Sequence, residues 1–118
     1  MARIGYVTID CDDVDAQMTF WSQALGYNRA DGPWSLLRDP DEEGVTLYFQ
    51  SVPESKVAKN RVHLDLVAAD PSVEVERLTG LGASRLRDVE EGGLAWTVLE
   101  DPEGNEFCVF PAGPSPDG

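Results

Sequence analysis

The sequence predicts an α+β domain built of two tandem β-α-β-β-β modules, and three observations carry that prediction. Trp34-Ser-Leu-Leu-Arg-Asp-Pro40 reappears as Trp96-Thr-Val-Leu-Glu-Asp-Pro102, with four of the seven positions identical. A strand-like apolar stretch follows each copy, Gly44–Gln50 in the first and Gly104–Phe110 in the second. Ahead of each copy stand a strand, an aspartate and a helical pattern closed by glycine, at Gly26 and again at Gly82. Self-similarity at nearly half the chain length means that one supersecondary unit has been used twice. With 118 residues, 42% of them hydrophobic, the chain is expected to be one domain, 1–118, because half that length would bury too little core alone.

The elements follow in order. Residues 4–11 alternate apolar and polar side chains and predict the first strand. Asp12 or Asp13 then supplies an N-cap, and Val14, Met18, Trp21 and Leu25 recur at helical spacing up to Gly26. Three strands are expected next, over 27–29, 34–38 and 45–50. The first module therefore covers about 3–50. Pro53, Lys56 and Lys59 mark 51–60 as a linker. The second module, about 61–110, repeats the order. A strand over 62–67 leads to Asp70-Pro71, an N-cap with proline at the first helical position. Val75, Leu78 and Leu81 form the buried stripe, and strands are expected over 84–87, 94–100 and 106–110. The Pro/Gly-rich stretch 111–118 reads as a disordered tail.

Composition excludes several classes. A formal net charge of −13 makes nucleic acid and anionic membrane surfaces poor partners, and steers cations instead. No apolar run approaches a membrane span of about 20 residues, and no basic-then-apolar leader opens the chain. Cys11 and Cys108 form neither a disulfide framework nor a paired metal motif, so a cytoplasmic location is expected.

Strand parity sorts the side chains, because residues two apart share a face. Val7, Ile9 and Cys11 oppose Tyr6, Thr8 and Asp10, while Leu47 and Phe49 oppose Tyr48 and Gln50. In the second module Leu64 and Leu66 oppose His63, Asp65 and Val67, and Phe107 and Val109 oppose Glu106, Cys108 and Phe110. One face of each pair is apolar and is expected to pack on the helices. The other mixes polar and aromatic groups, as small-molecule sites do. The candidate ligand-binding set is Tyr6, Thr8, Trp34, Tyr48, Gln50, His63, Asp65, Trp96, Cys108 and Phe110, with His63 and Glu106 as the candidate catalytic pair.

The duplicated β-α-β-β-β pattern, Asp13-x6-Phe20-Trp21-x3-Leu25-Gly26 and Glu100-Asp-Pro-Glu-Gly-Asn105 resemble the vicinal-oxygen-chelate superfamily over about residues 3–110. That superfamily holds glyoxalase I, extradiol dioxygenases, fosfomycin-resistance transferases and bleomycin-binding proteins, and the likeness is nearest its small glyoxalase-like subgroup. The resemblance implies a curved mixed sheet with helices on its outer face, a concave cleft, and a homodimer. In metal-using relatives four ligands come from the first and last strands of each half. Counted onto this chain, those positions hold Tyr6, Tyr48, His63 and Cys108. Only His63 among them is a conventional ligand, and a tyrosine with its pKa near 10 is a weak donor at neutral pH. A shift in register would bring in Glu106 or Asp65.

Each residue also has a plainer reading. His63 could be a hydrogen-bonded wall residue, and Cys108 either a nucleophile or a small hydrophobe. Trp34 and Trp96 are stacking platforms or core plugs, and Phe20 and Trp21 are core or dimer-seam residues. Three functional classes remain. The first is a small-molecule binding protein without a complete metal site, like the bleomycin-binding relatives. The second is a metal-dependent lyase, isomerase or dioxygenase in which His63, with Glu106 or Cys108, holds the ion. The third is an interaction module with a self-filled crevice. The residues specify no cofactor, and a divalent metal ion stays open.

Overall fold

The computed structural model describes residues 4, 6–53 and 63–111. The predicted linker beyond residue 53 and the tail beyond residue 111 lie outside the described residues. By its contacts the chain divides into two compact units, Met1–Ser55 and Lys56–Gly118, which coincide with the two sequence modules.

The first module runs β1 (Tyr6–Cys11), α1 (Val14–Leu25), β2 (Asn28–Arg29), β3 (Leu36–Arg38) and β4 (Thr46–Ser51). The second runs β5 (Leu64–Ala68), α2 (Pro71–Leu81), β6 (Ser84–Glu91), β7 (Leu94–Glu100) and β8 (Glu106–Pro111). The strand orders β1-β4-β3-β2 and β5-β8-β7-β6 are the same arrangement used twice. Each sheet is mixed, because the helical crossover brings the first strand parallel to the fourth while hairpins make the other pairs antiparallel.

The register proves the repeat. Leu36 faces Tyr48 and Leu37 faces Leu47; in the second module Val98 faces Cys108 and Leu99 faces Phe107. Those are the pairs that aligning Trp34 with Trp96 and Tyr48 with Cys108 demands. Across the parallel pair, Thr8 stands opposite Tyr48 as Asp65 stands opposite Cys108.

The helices form for the reasons their sequences give. Asp13 Oδ1 accepts the Ala16 N–H at 3.0 Å, and Asp70 Oδ1 accepts the Val73 N–H at 3.4 Å, each cap contributing about 1 kcal/mol. Gly26 closes α1 in the left-handed region at φ 72°, where glycine carries no Cβ penalty. The buried stripe of α1 is Gln17, Met18, Phe20, Trp21 and Ala24, rotated slightly from the predicted one, with Val14 and Leu25 half-buried. Phe20 and Trp21 are core, their rings meeting edge to face at 5.1 Å. In α2, Val75 and Leu78 are buried and Leu81 half-buried. The helices cover the predicted apolar faces, α1 packing on β4 and α2 on β5 to β8.

Several boundaries differ from expectation: β4 takes in Ser51, expected in the linker, β5 begins at Leu64 and leaves His63 ahead of it, and β8 takes in Pro111, expected in the tail. The first strand begins at Tyr6 rather than Ile4, and β3 begins at Leu36, which leaves Trp34 ahead of it and 65% exposed. The strand expected over 84–87 continues to Glu91. It closes through Gly92 and Gly93, both at positive φ (59° and 80°), as a tight two-residue hairpin requires. A bulge between Arg85 and Arg87 interrupts its alternation. None of the described helices is long and apolar enough to cross a membrane.

Candidate functional site

The duplicated Asp-Pro turns prove to be structural. Asp39 accepts the N–H groups of Asp41 at 2.9 Å and Gly44 at 2.7 Å. These bonds hold its carboxyl below the ordinary carboxylate range, the one from Asp41 contributing most. Asp101 accepts the N–H groups of Glu103 and Asn105 at 3.0 Å each, and the Asn105 amide at 3.0 Å. An aspartate at this point ties the loop that delivers the last strand of each module.

In the first module the exposed face of β1 and β4 carries Tyr6, Thr8, Asp10, Tyr48 and Gln50, with Thr8 opposite Tyr48 and Asp10 opposite Gln50. Trp34 meets Tyr48 edge to face at 6.3 Å. Tyr6 does not join that aromatic pair. It lines a broad open concavity of about 630 Å³ with Asn28, Arg38, Asp39 and Thr46.

In the second module the open face is ordered in rows. One row is Val67, Phe110 and Trp96, the two rings stacked at 5.0 Å with planes 23° apart and each half-buried. The next row is Asp65, Cys108 and Val98, with Arg87 opposite Val98. His63 stands just before β5, and its Nδ1 lies 3.0 Å from Asp65 Oδ1. Ligand atoms of His63, Asp65 and Cys108 all fall within 4.8 Å of one another. Glu106 lies on the same face but pairs to the side: it faces Glu100 across β7–β8 and its Oε1 is 3.6 Å from Arg87 Nη1. His63 is thus brought to Asp65 and Cys108, while Glu106 is brought to Arg87.

Cys108 is 5% exposed, and burial raises its thiol pKa. The charge of Asp65 and its hydrogen bond with the thiol push the same way, as does Glu106, with Arg87 in partial opposition. A thiol held neutral is a poor nucleophile. The group is placed instead to donate to Asp65 or, once deprotonated, to bind a cation. Arg87 was missed from sequence because unbroken alternation along β6 would set it beside Arg85 on the covered face, and the bulge is what turns it to this one. The Gly92-Gly93 pair that dictates a long β6 was the available signal.

Comparison with known proteins agrees with this architecture. The model of the glyoxalase-like domain family matches residues 6–110. A glyoxalase/bleomycin resistance protein/dioxygenase family enzyme from Burkholderia phytofirmans superposes with a TM-score of 0.78 at 19% identity, over 95% of this chain and all of that one. A glyoxalase-related enzyme from Fulvimarina pelagi gives 0.71 at 15% identity, over 100% of this chain and 96% of that one. A glyoxalase/bleomycin resistance protein/dioxygenase from Nocardioides gives 0.71 at 17%, over 98% and 88%. At such identities the likeness shows the fold. No curated protein matches the sequence.

Proposed function

Since this chain belongs to the glyoxalase-like domain family, we propose that it is a small-molecule binding protein that holds a planar, cationic ligand on the open faces of its sheets. One observation carries the reading: the Trp96–Phe110 stack, half-exposed, lies one row from the Asp65 carboxylate. A flat apolar platform beside a fixed negative charge is what such a ligand requires, since rings prefer offset stacking and a cation gains from the nearby carboxylate. The surplus of 22 acidic over 9 basic residues would draw a cation toward the whole molecule. The Trp34–Tyr48 pair offers a second aromatic surface in the first module. Three structural neighbours carry the group name glyoxalase/bleomycin resistance protein/dioxygenase, and bleomycin, a cation with a flat aromatic portion, is one candidate of this class. By the same resemblance the chain pairs into a homodimer, which sedimentation would report.

The four positions that hold the ion in metal-using relatives do not supply a ligand set here, because Tyr6 and Tyr48 are phenols. Ligand binding is therefore read as independent of metal and is tested in the presence of a chelator. The full chain is titrated with thioflavin T, a planar cation, and with pyrenesulfonate, a planar anion. The cation is expected to quench tryptophan fluorescence and raise the melting temperature, as any ligand of the native state must. Trp96→Ala is expected to weaken it by about tenfold, the worth of one aromatic stack at roughly 1–1.5 kcal/mol. Equal response to both dyes, or unchanged affinity in Trp96→Ala, sinks the proposal.

A further inference from the structure

Three donors of different chemistry meet on the second sheet: an imidazole, a carboxylate and a thiol. His63 and Asp65 lie two residues apart on one side of the chain. Cys108 faces Asp65 in the parallel β5–β8 register, and the ligand atoms of all three lie within 4.8 Å. The pattern implied by the resemblance would draw on both halves, and its two positions in the first half are Tyr6 and Tyr48. That set does not fit an ion at neutral pH. The donors gathered within one module do fit, and Asp65 stands outside the family pattern altogether.

We propose that His63, Asp65 and Cys108 form a site for a single thiophilic divalent cation, zinc by preference, contained wholly in the second module. A tetrahedral ion with Zn–N, Zn–O and Zn–S distances of about 2.0–2.3 Å holds its ligands roughly 3.3–3.8 Å apart. The greatest present separation is therefore about an ångström too wide. The side chains of His63 and Asp65 are 44% and 50% exposed and can rotate inward, trading their mutual hydrogen bond for the ion. Cys108 is buried and fixed, and serves as the anchor.

The surroundings favour a cation. Glu106 lies on the same face with Glu100 opposite it, and Arg87, which partners Glu106, is the single basic residue placed against this acidic group among the described contacts. A nitrogen, oxygen and thiolate set suits zinc and its softer neighbours, whereas magnesium and calcium ask for oxygen throughout. Three protein ligands leave the fourth position open. The matching positions of the first module hold Tyr6, Thr8 and Tyr48, so one ion per chain is expected.

The inference goes beyond the binding reading above and does not rest on it, because metal alone is the probe. The full chain, stripped with chelator, is titrated with Co²⁺ and then with Zn²⁺. The expected result is one Co²⁺ per chain with a thiolate-to-cobalt charge-transfer band in the near ultraviolet, displaced by Zn²⁺ and untouched by Mg²⁺. Cys108→Ser is expected to abolish the band. Asp65→Ala and His63→Ala, both at half-exposed positions that leave the fold intact, are expected to weaken Co²⁺ binding by at least about tenfold. They carry the test should Cys108→Ser fail to fold. The proposal is overturned if the folded wild type shows no charge-transfer band, or if Asp65→Ala and His63→Ala bind as tightly as wild type.

Discussion

Asp101→Ala is expected to cost the second module about 3–4 kcal/mol. The carboxylate is 3% exposed and accepts two backbone N–H groups, from Glu103 and Asn105, plus the Asn105 amide. Hydrogen bonds to a charged acceptor contribute about 1.5–3 kcal/mol each, but Glu103 and Asn105 are half-exposed and recover part of that from water, which brings each donor to roughly 1–1.5. The two backbone bonds that close the same turn, Asp101 N–H to Asn105 O and Gly104 N–H to Asp101 O, survive the substitution and limit the loss. Asp39→Ala removes the same anchor from the first module. That carboxylate faces solvent, so its loss is expected to be clearly smaller. Urea unfolding of both variants, with m-values compared to detect loss of two-state behaviour, measures the difference. If Asp39→Ala destabilises as much as Asp101→Ala, burial is not what makes the second turn costly, and the reasoning fails.

Two further outcomes follow from local geometry. Arg77 donates to Glu74 at 2.6 Å one helical turn away and holds that carboxyl below its ordinary range, through the hydrogen bond first and the charge second. A lowered folded pKa gives stability that is present above the unfolded value near 4.5 and lost as the pH falls through the folded one. Glu74→Gln is thus expected to remove less than about 1 kcal/mol at neutral pH and nothing in strong acid, read from urea midpoints across that range. At Gly44, an added Cβ would collide with the Tyr27 hydroxyl and crowd Asp39. Gly44→Ala is expected to cost about 1–3 kcal/mol, and less in a Tyr27→Phe background; a double-mutant cycle showing no coupling would remove that contact as the cause.

Much of the fold was readable because its signals are local. Asp13, Gly26, Asp70-Pro71 and Gly82 announce helix ends by their own chemistry, and alternation along 6–11 and 46–50 assigns the faces. Element ends were harder where no apolar side chain was needed. β6 runs on through Asp88-Val-Glu-Glu because it is an edge strand whose outer side is solvent, and charged residues there guard against pairing with another chain. The bulge at Arg85/Arg87 is a property of the β6–β7 pairing, so the turning of Arg87 toward Glu106 could not be read from β6 alone. The helical stripe of α1 missed Gln17 and Ala24 for a related reason: the packing against β4 sets its phase, and a polar residue carries no apolar mark. At the site, parity put His63, Asp65 and Cys108 on one side. Their convergence needed the parallel register of β5 with β8, which joins residues more than forty positions apart.

The two modules separate what the backbone determines from what the side chains determine. One topology and one register recur, so the positions of Thr8 and Tyr48 are equivalent to those of Asp65 and Cys108. A hydroxyl and a phenol occupy the first pair, a carboxylate and a thiol the second. Strand pairing and the Asp-Pro turn tolerate either, because both pairs project from the face that the helix does not cover. Residues on the covered face stay apolar in the two copies: Leu37 and Leu99 are identical and fully buried, and the buried Leu47 and Phe49 are matched by the buried Phe107 and Val109. A duplicated unit is therefore free to become chemically one-sided at no cost to its fold, and the second module is the one in which nitrogen, oxygen and sulfur came within reach of one another.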